Sequence, residues 1–305
     1  MLHFPVAGLD LPLWLPPLVT FAIGLVCVAA GVSGAFLLLP FQVSVLGFTA
    51  PAVTPTNLLY NVFGIPGGIA RYCREGRLDW TLAAVLATGL VPGAFLGLLL
   101  RVFLLADLAR FKLFMAAVLL LLASRLLDAM RARPASPAAG QAYDRMPQGA
   151  RVVTVRRSWR RVEARLGPVA YAYAPLPLLA LTMAVGTIGG AYGIGGGAIM
   201  APILMAVFRL PVHATAGANL TGTFVASLAG ALLYAFVGPL LAGPGAAVRP
   251  DWLLGLLFGI GGAAGMYAGA ALQRRIPQRL IKRVLLVLLL LLSAKYVIEA
   301  AARLS

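Results

Sequence analysis

Negative charge is scarce in this chain. Nine Asp and Glu stand against 25 Lys and Arg, and charged residues are only 11% of the sequence. Soluble domains carry about 25%, so a soluble globular protein is excluded. The nine acids (Asp10, Glu75, Asp79, Asp107, Asp128, Asp144, Glu163, Asp251 and Glu299) all fall in loops or near the ends of apolar stretches. Carboxylates inside membrane spans are the usual proton relays of pumps, so coupling through a protein carboxylate is disfavoured. Cysteine and histidine are nearly missing as well. Cys27 and Cys73 give neither a disulfide framework nor a metal site, and His3 and His213 are the only imidazoles. No cofactor is therefore expected. An intramembrane enzyme is poorly supported, since a Ser33 nucleophile would lack a base. No P-loop sequence is present, which argues against ATP as the energy source. A cleavable signal peptide is not expected either, because the first residues lack a basic n-region.

What the chain does have is apolar length. It is 61% hydrophobic with a mean hydropathy of +0.93. Charge-free runs cover Leu11–Ala70, Trp80–Leu100, Leu166–Phe208, Leu210–Val248 and Trp252–Gln273. A membrane span needs about 20 such residues, so a polytopic membrane protein follows. The net charge of +16 would suggest nucleic acid in a soluble chain. Here it reads as positive-inside topology, and no nucleic-acid partner is expected.

One stretch suits no ordinary helix. Gly186-Thr-Ile-Gly-Gly-Ala-Tyr-Gly-Ile-Gly-Gly-Gly-Ala-Ile-Met-Ala-Pro202 holds seven glycines and a proline, in the middle of a 43-residue run without a charge. Backbone broken at membrane depth must be buried in protein or line a wet cavity. Secondary transporters bind substrates at such breaks. The same pattern occurs earlier: with a shift of 162, Gly31-Val-Ser-Gly34 through Pro40 overlays Gly193–Pro202. The register runs on to Asn57/Asn219, Leu58/Leu220, Gly68/Gly230 and Tyr72/Tyr234, with ten identities in the 47 pairs from Val26 to Tyr72. After a ten-residue insertion Asp79-Trp80 meets Asp251-Trp252.

The chain is thus read as two copies of one unit: residues 1–130, a basic linker over 131–167, and residues 168–305. Met1–Pro17 reads as a short lead. Each copy then supplies a broken-helix hairpin plus three transmembrane helices, eight to ten membrane segments of an all-α protein. Arg71, Arg74 and Arg77 make one basic loop, and Arg274–Arg283 another. The linker holds nine arginines against two acids over Arg131–Arg165. It reads as a solvated cytoplasmic tether, or as an amphipathic segment at Arg151–Arg165 that meets anionic lipid. Inverting the second copy puts all three basic clusters in the cytoplasm. The loop from Arg101 to Lys112 disagrees with that arrangement.

These residues resemble the TauE/SafE-type sulfite exporter superfamily, bacterial and plant-organelle transporters of sulfite, sulfonates and related sulfur compounds. The resemblance rests on Gly193–Pro202 followed by His213-Ala-Thr-Ala-Gly-Ala-Asn-Leu220, with the degenerate copy Gly31–Pro40 and Pro55-Thr-Asn-Leu58. It covers nearly the whole chain outside the linker. It implies a multi-pass protein of the bacterial inner membrane that moves a sulfur oxyanion or organosulfonate. Many members carry Thr-Ser-Leu where this chain has Thr56-Asn57-Leu58 and Ala218-Asn219-Leu220, a departure that bears on the substrate.

A small anion in a membrane needs donors, and broken-helix N-termini provide free N–H groups and a positive dipole end. Glycine admits close approach to that backbone. Gly193, Gly195, Gly196 and Gly197 are the candidates, with Gly31, Ser33 and Gly34 as their counterparts. The isolated Gly89 and Gly261 are expected to serve close helix packing instead. Asn57 and Asn219 either converge on the anion or serve as interhelical hydrogen bonds. Thr56, Tyr60, Asn61, Thr221 and Thr223 lie within a turn of them, and Tyr192 is placed to cap either break. The expected partners are a small anion and membrane lipid. A carboxylate transporter and a non-transporting structural subunit remain as alternatives.

Overall fold

The computed structural model describes residues 1–29, 33–131, 151–243, 245–272 and 278–304. The chain opens with a β-hairpin, β1 (Leu2–Phe4) and β2 (Leu9–Leu11). It continues through α1 (Leu15–Ala29), α2 (Ala35–Ser44), α3 (Val53–Gly64), α4 (Pro66–Arg74) and α5 (Trp80–Leu99). A π-helical turn over Leu100–Leu104 extends α5, and α6 (Leu108–Arg131) follows. The second series starts with an antiparallel sheet, β3 (Val152–Arg157), β4 (Val162–Leu166) and β5 (Val169–Tyr173). Then come α7 (Pro175–Tyr192), α8 (Gly197–Ala206), α9 (Val212–Phe236), α10 (Gly238–Ala242), α11 (Trp252–Leu272) and α12 (Gln278–Leu304). The protein is mostly helical. Among the described residues, five segments are long and apolar enough to cross a membrane: Trp80–Leu104, Pro175–Tyr192, Ala214–Phe236, Trp252–Gly269 and Arg283–Ala302.

The repeat reappears in the element bounds. α2 and α8 start and stop at positions that differ by 162 residues, and α5 and α11 start at Trp80 and Trp252. The Asp-Trp pair of each copy has a local cause. Asp79 Oδ1 accepts from Leu82 N at 2.9 Å and Asp251 Oδ1 from Leu254 N at 3.1 Å, so each aspartate is the N-cap of the helix that follows. The second carboxylate oxygens look outward to the β elements. The Tyr171 hydroxyl of β5 donates to Asp79 at 2.8 Å, and Ala7 N of the first hairpin approaches Asp251 at 3.4 Å.

Packing exchanges partners between the copies. α1 lies along α11, and α5 along α7. Gly261, Gly265 and Gly269 face Pro17, Phe21 and Leu25, while Gly89, Gly93 and Gly97 face Thr182, Gly186 and Gly190. Indices rise together in both pairs, so both are parallel. Two glycine stripes related by 172 residues thus let backbones meet closely. A Cβ at Gly265 would stand 2.1 Å from the Phe21 carbonyl oxygen. The pair α3 and α9 behaves differently: Leu58 meets Gly230, Asn61 meets Ser227 and Gly68 meets Leu220. α3 and α9, which are equivalent under the 162-residue shift, therefore run antiparallel.

Four expectations need correction. The lead Met1–Pro17 is a hairpin whose three-residue strands are too short for alternation to show, with Phe4 fully buried. The basic segment Arg151–Arg165, read as a tether or an amphipathic segment, carries β3 and most of β4: Val162, Ala164 and Leu166 are buried while Glu163 and Arg165 alternate outward. Linker residues 132–150, including Arg145, lie outside the described residues. The first of the three transmembrane helices expected after the hairpin of the first copy is not one helix, because Pro66 starts a new one after Ile65; α9 runs unbroken past the equivalent Leu228. Arg101 and Lys112 are not loop charges, since both are buried. Arg101 lies in the π-helical turn, and Lys112 of α6 pairs with Glu299 of α12.

The glycine stripes should tolerate no side chain. Gly265→Val and Gly93→Val are expected to cost about 1–3 kcal/mol each through overpacking, read as lowered thermal unfolding temperatures of detergent-purified protein. Gly67→Ala, where nothing lies within 4 Å, should leave the unfolding temperature within error of the parent.

Candidate functional site

The broken helix α7/α8 creates a problem that the neighbouring helices solve. The chain turns at Gly193 (φ 93°), Gly195 (φ 65°) and Gly196 (φ 89°), conformations that side chains disfavour. Residues 191–200 are all buried. The last carbonyls of a helix have no intrahelical partner, and in an apolar interior each must find one. Gly189 O takes Gly193 N at 2.8 Å and Ile194 N at 2.9 Å. Beyond it, side chains take over. The Tyr234 hydroxyl donates to Gly190 O at 3.2 Å, and the Thr54 hydroxyl to Ala191 O at 3.2 Å. Asn57 Nδ2 donates to Gly193 O at 2.9 Å, and Asn61 Nδ2 to Ile194 O at 3.1 Å. Thr54, Asn57 and Asn61 occupy positions i, i+3 and i+7 of α3, one helix face.

The first break is tied to the second by the same residues. Asn57 Nδ2 also donates to Ala35 O at 2.9 Å, and its Oδ1 accepts from Gln42 Nε2 at 2.9 Å. Ser33 Oγ donates to Asn61 Oδ1 at 3.3 Å and accepts from Ala35 N at 3.4 Å. The Tyr192 hydroxyl donates to Phe36 O at 3.0 Å. Gly34 is the N-cap of α2, where a Cβ would stand 2.6 Å from the Tyr60 hydroxyl. In the second copy Asn219 Nδ2 donates to Gly197 O at 3.1 Å. Ala35 and Gly197 are equivalent under the shift of 162, so the two asparagines make the same bond. Asn219 Oδ1 is buried without a partner among the described residues.

The expected donors separate into groups. Gly193, Gly195, Gly196, Gly197, Ser33, Gly34 and Asn57 come together around the breaks, and Asn219 joins through Gly197. Gly197 is pressed against Thr223, whose Oγ1 would be 2.0 Å from a Cβ there. Thr56 lies apart: its hydroxyl donates to Ala52 O at 2.8 Å and accepts from Asp251 N at 2.9 Å. Thr221 donates to Gly217 O in its own helix at 2.9 Å. Gly31 and the His213 side chain lie outside the described residues. Sequence reasoning missed Gln42, Ser227 and Tyr234 as hairpin partners. The polar face of α3 was the signal for Thr54.

Around the break, the donors left over are the Tyr60 hydroxyl, buried without a partner among the described residues, and backbone ones. Among the described residues, nothing accepts from the N–H groups of Gly196, Gly197 and Ala198, which open α8. A cavity of about 1290 Å³ lies to one side, between α3, α4, α9 and α11. Its wall carries Gly64, Leu220, Met266 and Tyr267, and its rim Arg71, Arg74 and Arg77. Hydrogen bonds from Arg71 and Arg77 hold the Glu75 carboxyl below the usual carboxylate range. Three arginines against that one carboxylate leave the rim cationic overall.

A bundle that crosses the membrane repeatedly, with two broken helices stapled together inside it, defines a multi-pass membrane protein. The family model described as sulfite exporter TauE/SafE matches residues 17–296, and the chain belongs to that family. A similar curated protein is the "Probable membrane transporter protein YunE" of Bacillus subtilis (strain 168), 26% identical over 132 residues. That stretch is 43% of this chain and 45% of the relative, so the match spans about half of each. No solved structure matches.

The asparagine bonds set unequal costs. Asn57→Ala strands the Gly193 carbonyl and the Gln42 amide and takes a second bond from the Ala35 carbonyl, whereas Asn219→Ala only takes a second bond from the Gly197 carbonyl. An interhelical hydrogen bond in a membrane averages about 0.6 kcal/mol, while each buried group left unpaired costs about 1–3 kcal/mol. Asn57→Ala should therefore lower the thermal unfolding temperature clearly more than Asn219→Ala does. Equal losses in the two variants would contradict the stapling geometry.

Proposed function

We propose that the chain is a secondary transporter that moves a small anion, a sulfur oxyanion or organosulfonate, across the bacterial inner membrane. The observation that carries this reading is the open N-terminus of α8. Three buried N–H groups without a protein acceptor, at a glycine turn, provide donors and a favourable dipole without a bare charge. Asn57, by contrast, spends both amide N–H groups on carbonyls. Recognition in this reading therefore falls on the backbone of Gly196-Gly197-Ala198, with Ser33 and Gly34 as the first copy's counterpart.

The cavity rimmed by Arg71, Arg74 and Arg77 is the entrance in this reading, concentrating anions at its mouth. The two units are inverted across the membrane, which the antiparallel course of α3 and α9 supports. The basic linker then faces the cytoplasm with that rim. The burial of Arg101 and the pairing of Lys112 with Glu299 leave Arg110, beside Asp107, as the exposed basic residue of the loop that argued against this orientation. α3 breaks at Pro66 beside the cavity while α9 stays straight, so the copies differ in shape although they match in sequence. Alternating access between inverted repeats requires such a difference.

Uptake of radiolabelled sulfite and of acetate into proteoliposomes tests the substrate class. Saturable sulfite flux is expected, with Gly196→Leu abolishing it while the protein still inserts; acetate flux in place of sulfite flux would favour the carboxylate alternative. Single-cysteine labelling in a Cys27/Cys73-free background tests the orientation. Cysteines at positions 165 and 275 should label from the cytoplasmic side and one at 243 from the opposite side. External labelling at 275 would sink the inverted arrangement.

A further inference from the structure

Arg101 is buried in a way that packing alone does not explain. It is 1% exposed and sits in the π-helical turn beyond the end of α5. That places it about 30 Å along the helix from the Asp79 end, given 1.5 Å per residue. π-helical turns occur frequently at functional sites. Every group that holds the guanidinium is neutral. Nε donates to the Thr54 hydroxyl at 3.3 Å, Nη1 donates to the Leu105 carbonyl, and the Phe111 ring centre lies 3.8 Å from Cζ.

Among the described residues no carboxylate pairs with Arg101, whereas the other deeply placed cation, Lys112, has Glu299. Nη2 donates to no described atom. An arginine cannot shed its proton to escape this situation, and a buried charge without a counter-charge is costly. The location gives the charge a use. The Thr54 hydroxyl that accepts from Arg101 itself donates to Ala191 O at 3.2 Å, so the guanidinium is two hydrogen bonds from the α7/α8 break.

We propose that Arg101 is the fixed counter-charge that the transported anion meets at the end of its path opposite the Arg71–Arg77 rim. This rests on the transport reading above. An oxyanion or carboxylate with two oxygens on one centre fits the planar fork of a guanidinium. It takes the open Nη2 first and competes with the neutral partners for the rest. The Thr54 hydroxyl couples that event to the break, because it cannot hold both Arg101 and Ala191 unchanged when the guanidinium turns. The cation–π contact with Phe111 keeps the charge in place while no anion is bound.

Thermal unfolding of the detergent-purified full chain, titrated separately with sulfite, sulfate and acetate, tests this directly. At least one anion should stabilise the parent protein in a saturable way. Arg101→Met should raise the half-effect concentration about ten- to a hundred-fold, the loss expected for a hydrogen bond to a charged group. Arg101→Lys, which keeps the charge, should retain the response. Phe111→Leu removes a competitor for the cation and should lower the half-effect concentration about three-fold. It decides the question where Arg101→Met yields no folded protein. The proposal is overturned if no anion stabilises the parent. It is also overturned if Arg101→Met titrates like the parent, or if Phe111→Leu does so where Arg101→Met does not fold. Stabilisation by acetate but not sulfite, lost in Arg101→Met, would remove the sulfur-oxyanion reading and leave the role of Arg101 standing.

Discussion

The carbonyl groups at the end of α7 are buried and have no next helical turn to bond, so side chains must reach them. Tyr234, Thr54, Asn57 and Asn61 do so one after another, on Gly190, Ala191, Gly193 and Ile194. Much else follows from this requirement. α3 must carry its polar residues on one face, and it must lie against the break. α2 must approach α3 from the other side, because Asn57 also holds Ala35 and accepts from Gln42. The hairpin of one copy is thereby completed by a helix of the other. Neither copy is self-sufficient in hydrogen bonds.

The apolar packing has the same exchanged character. α1 relies on the glycine stripe of α11, and α7 on that of α5. At each end, a small β element meets the N-cap aspartate of the opposite copy, Tyr171 on Asp79 and Ala7 on Asp251. A membrane offers little hydrophobic drive for helices to associate, so close backbone approach and specific polar contacts must do it. Equivalent contacts in the two copies hold the frame evenly. The difference between the bent α3/α4 and the straight α9 then stands out as a departure with a local cause, Pro66.

Much of this frame was legible in the sequence because glycine, proline, asparagine and aspartate each mark a backbone event. Gly193–Gly197 marked the turn, and Asp79 and Asp251 marked helix starts. The shift of 162 aligned the two hairpins to the residue. Other features had no such mark. Three-residue strands at Leu2–Phe4 and Leu9–Leu11 are too short for periodicity, and the β3–β5 sheet was hidden by its arginines. Arg101 looked like a loop charge because an apolar run ends at Leu100. Only the tertiary structure shows Phe111 and Leu105 closing over it. The site was legible as a place, but the division of labour within it was not. An asparagine in an apolar helix reads the same whether its amide faces a ligand or a carbonyl.

That division also accounts for asparagine at position 57 where Thr-Ser-Leu would have placed a hydroxyl. A serine hydroxyl has a single hydrogen to donate, whereas an amide has two donors and an acceptor. Asn57 uses all three functions: Ala35 O and Gly193 O each take one N–H, and Gln42 donates to Oδ1. A hydroxyl there could hold one hairpin carbonyl but not staple both. Asn219 donates only to Gly197 O and leaves Oδ1 without a described partner, so its position asks less of the side chain. The amide at 57 is thus explained by the junction of the two breaks, without reference to any ligand. Among the described residues, the donors left for an anion in the proposed reading are the N–H groups at the start of α8, the Tyr60 hydroxyl and the open edge of the Arg101 guanidinium.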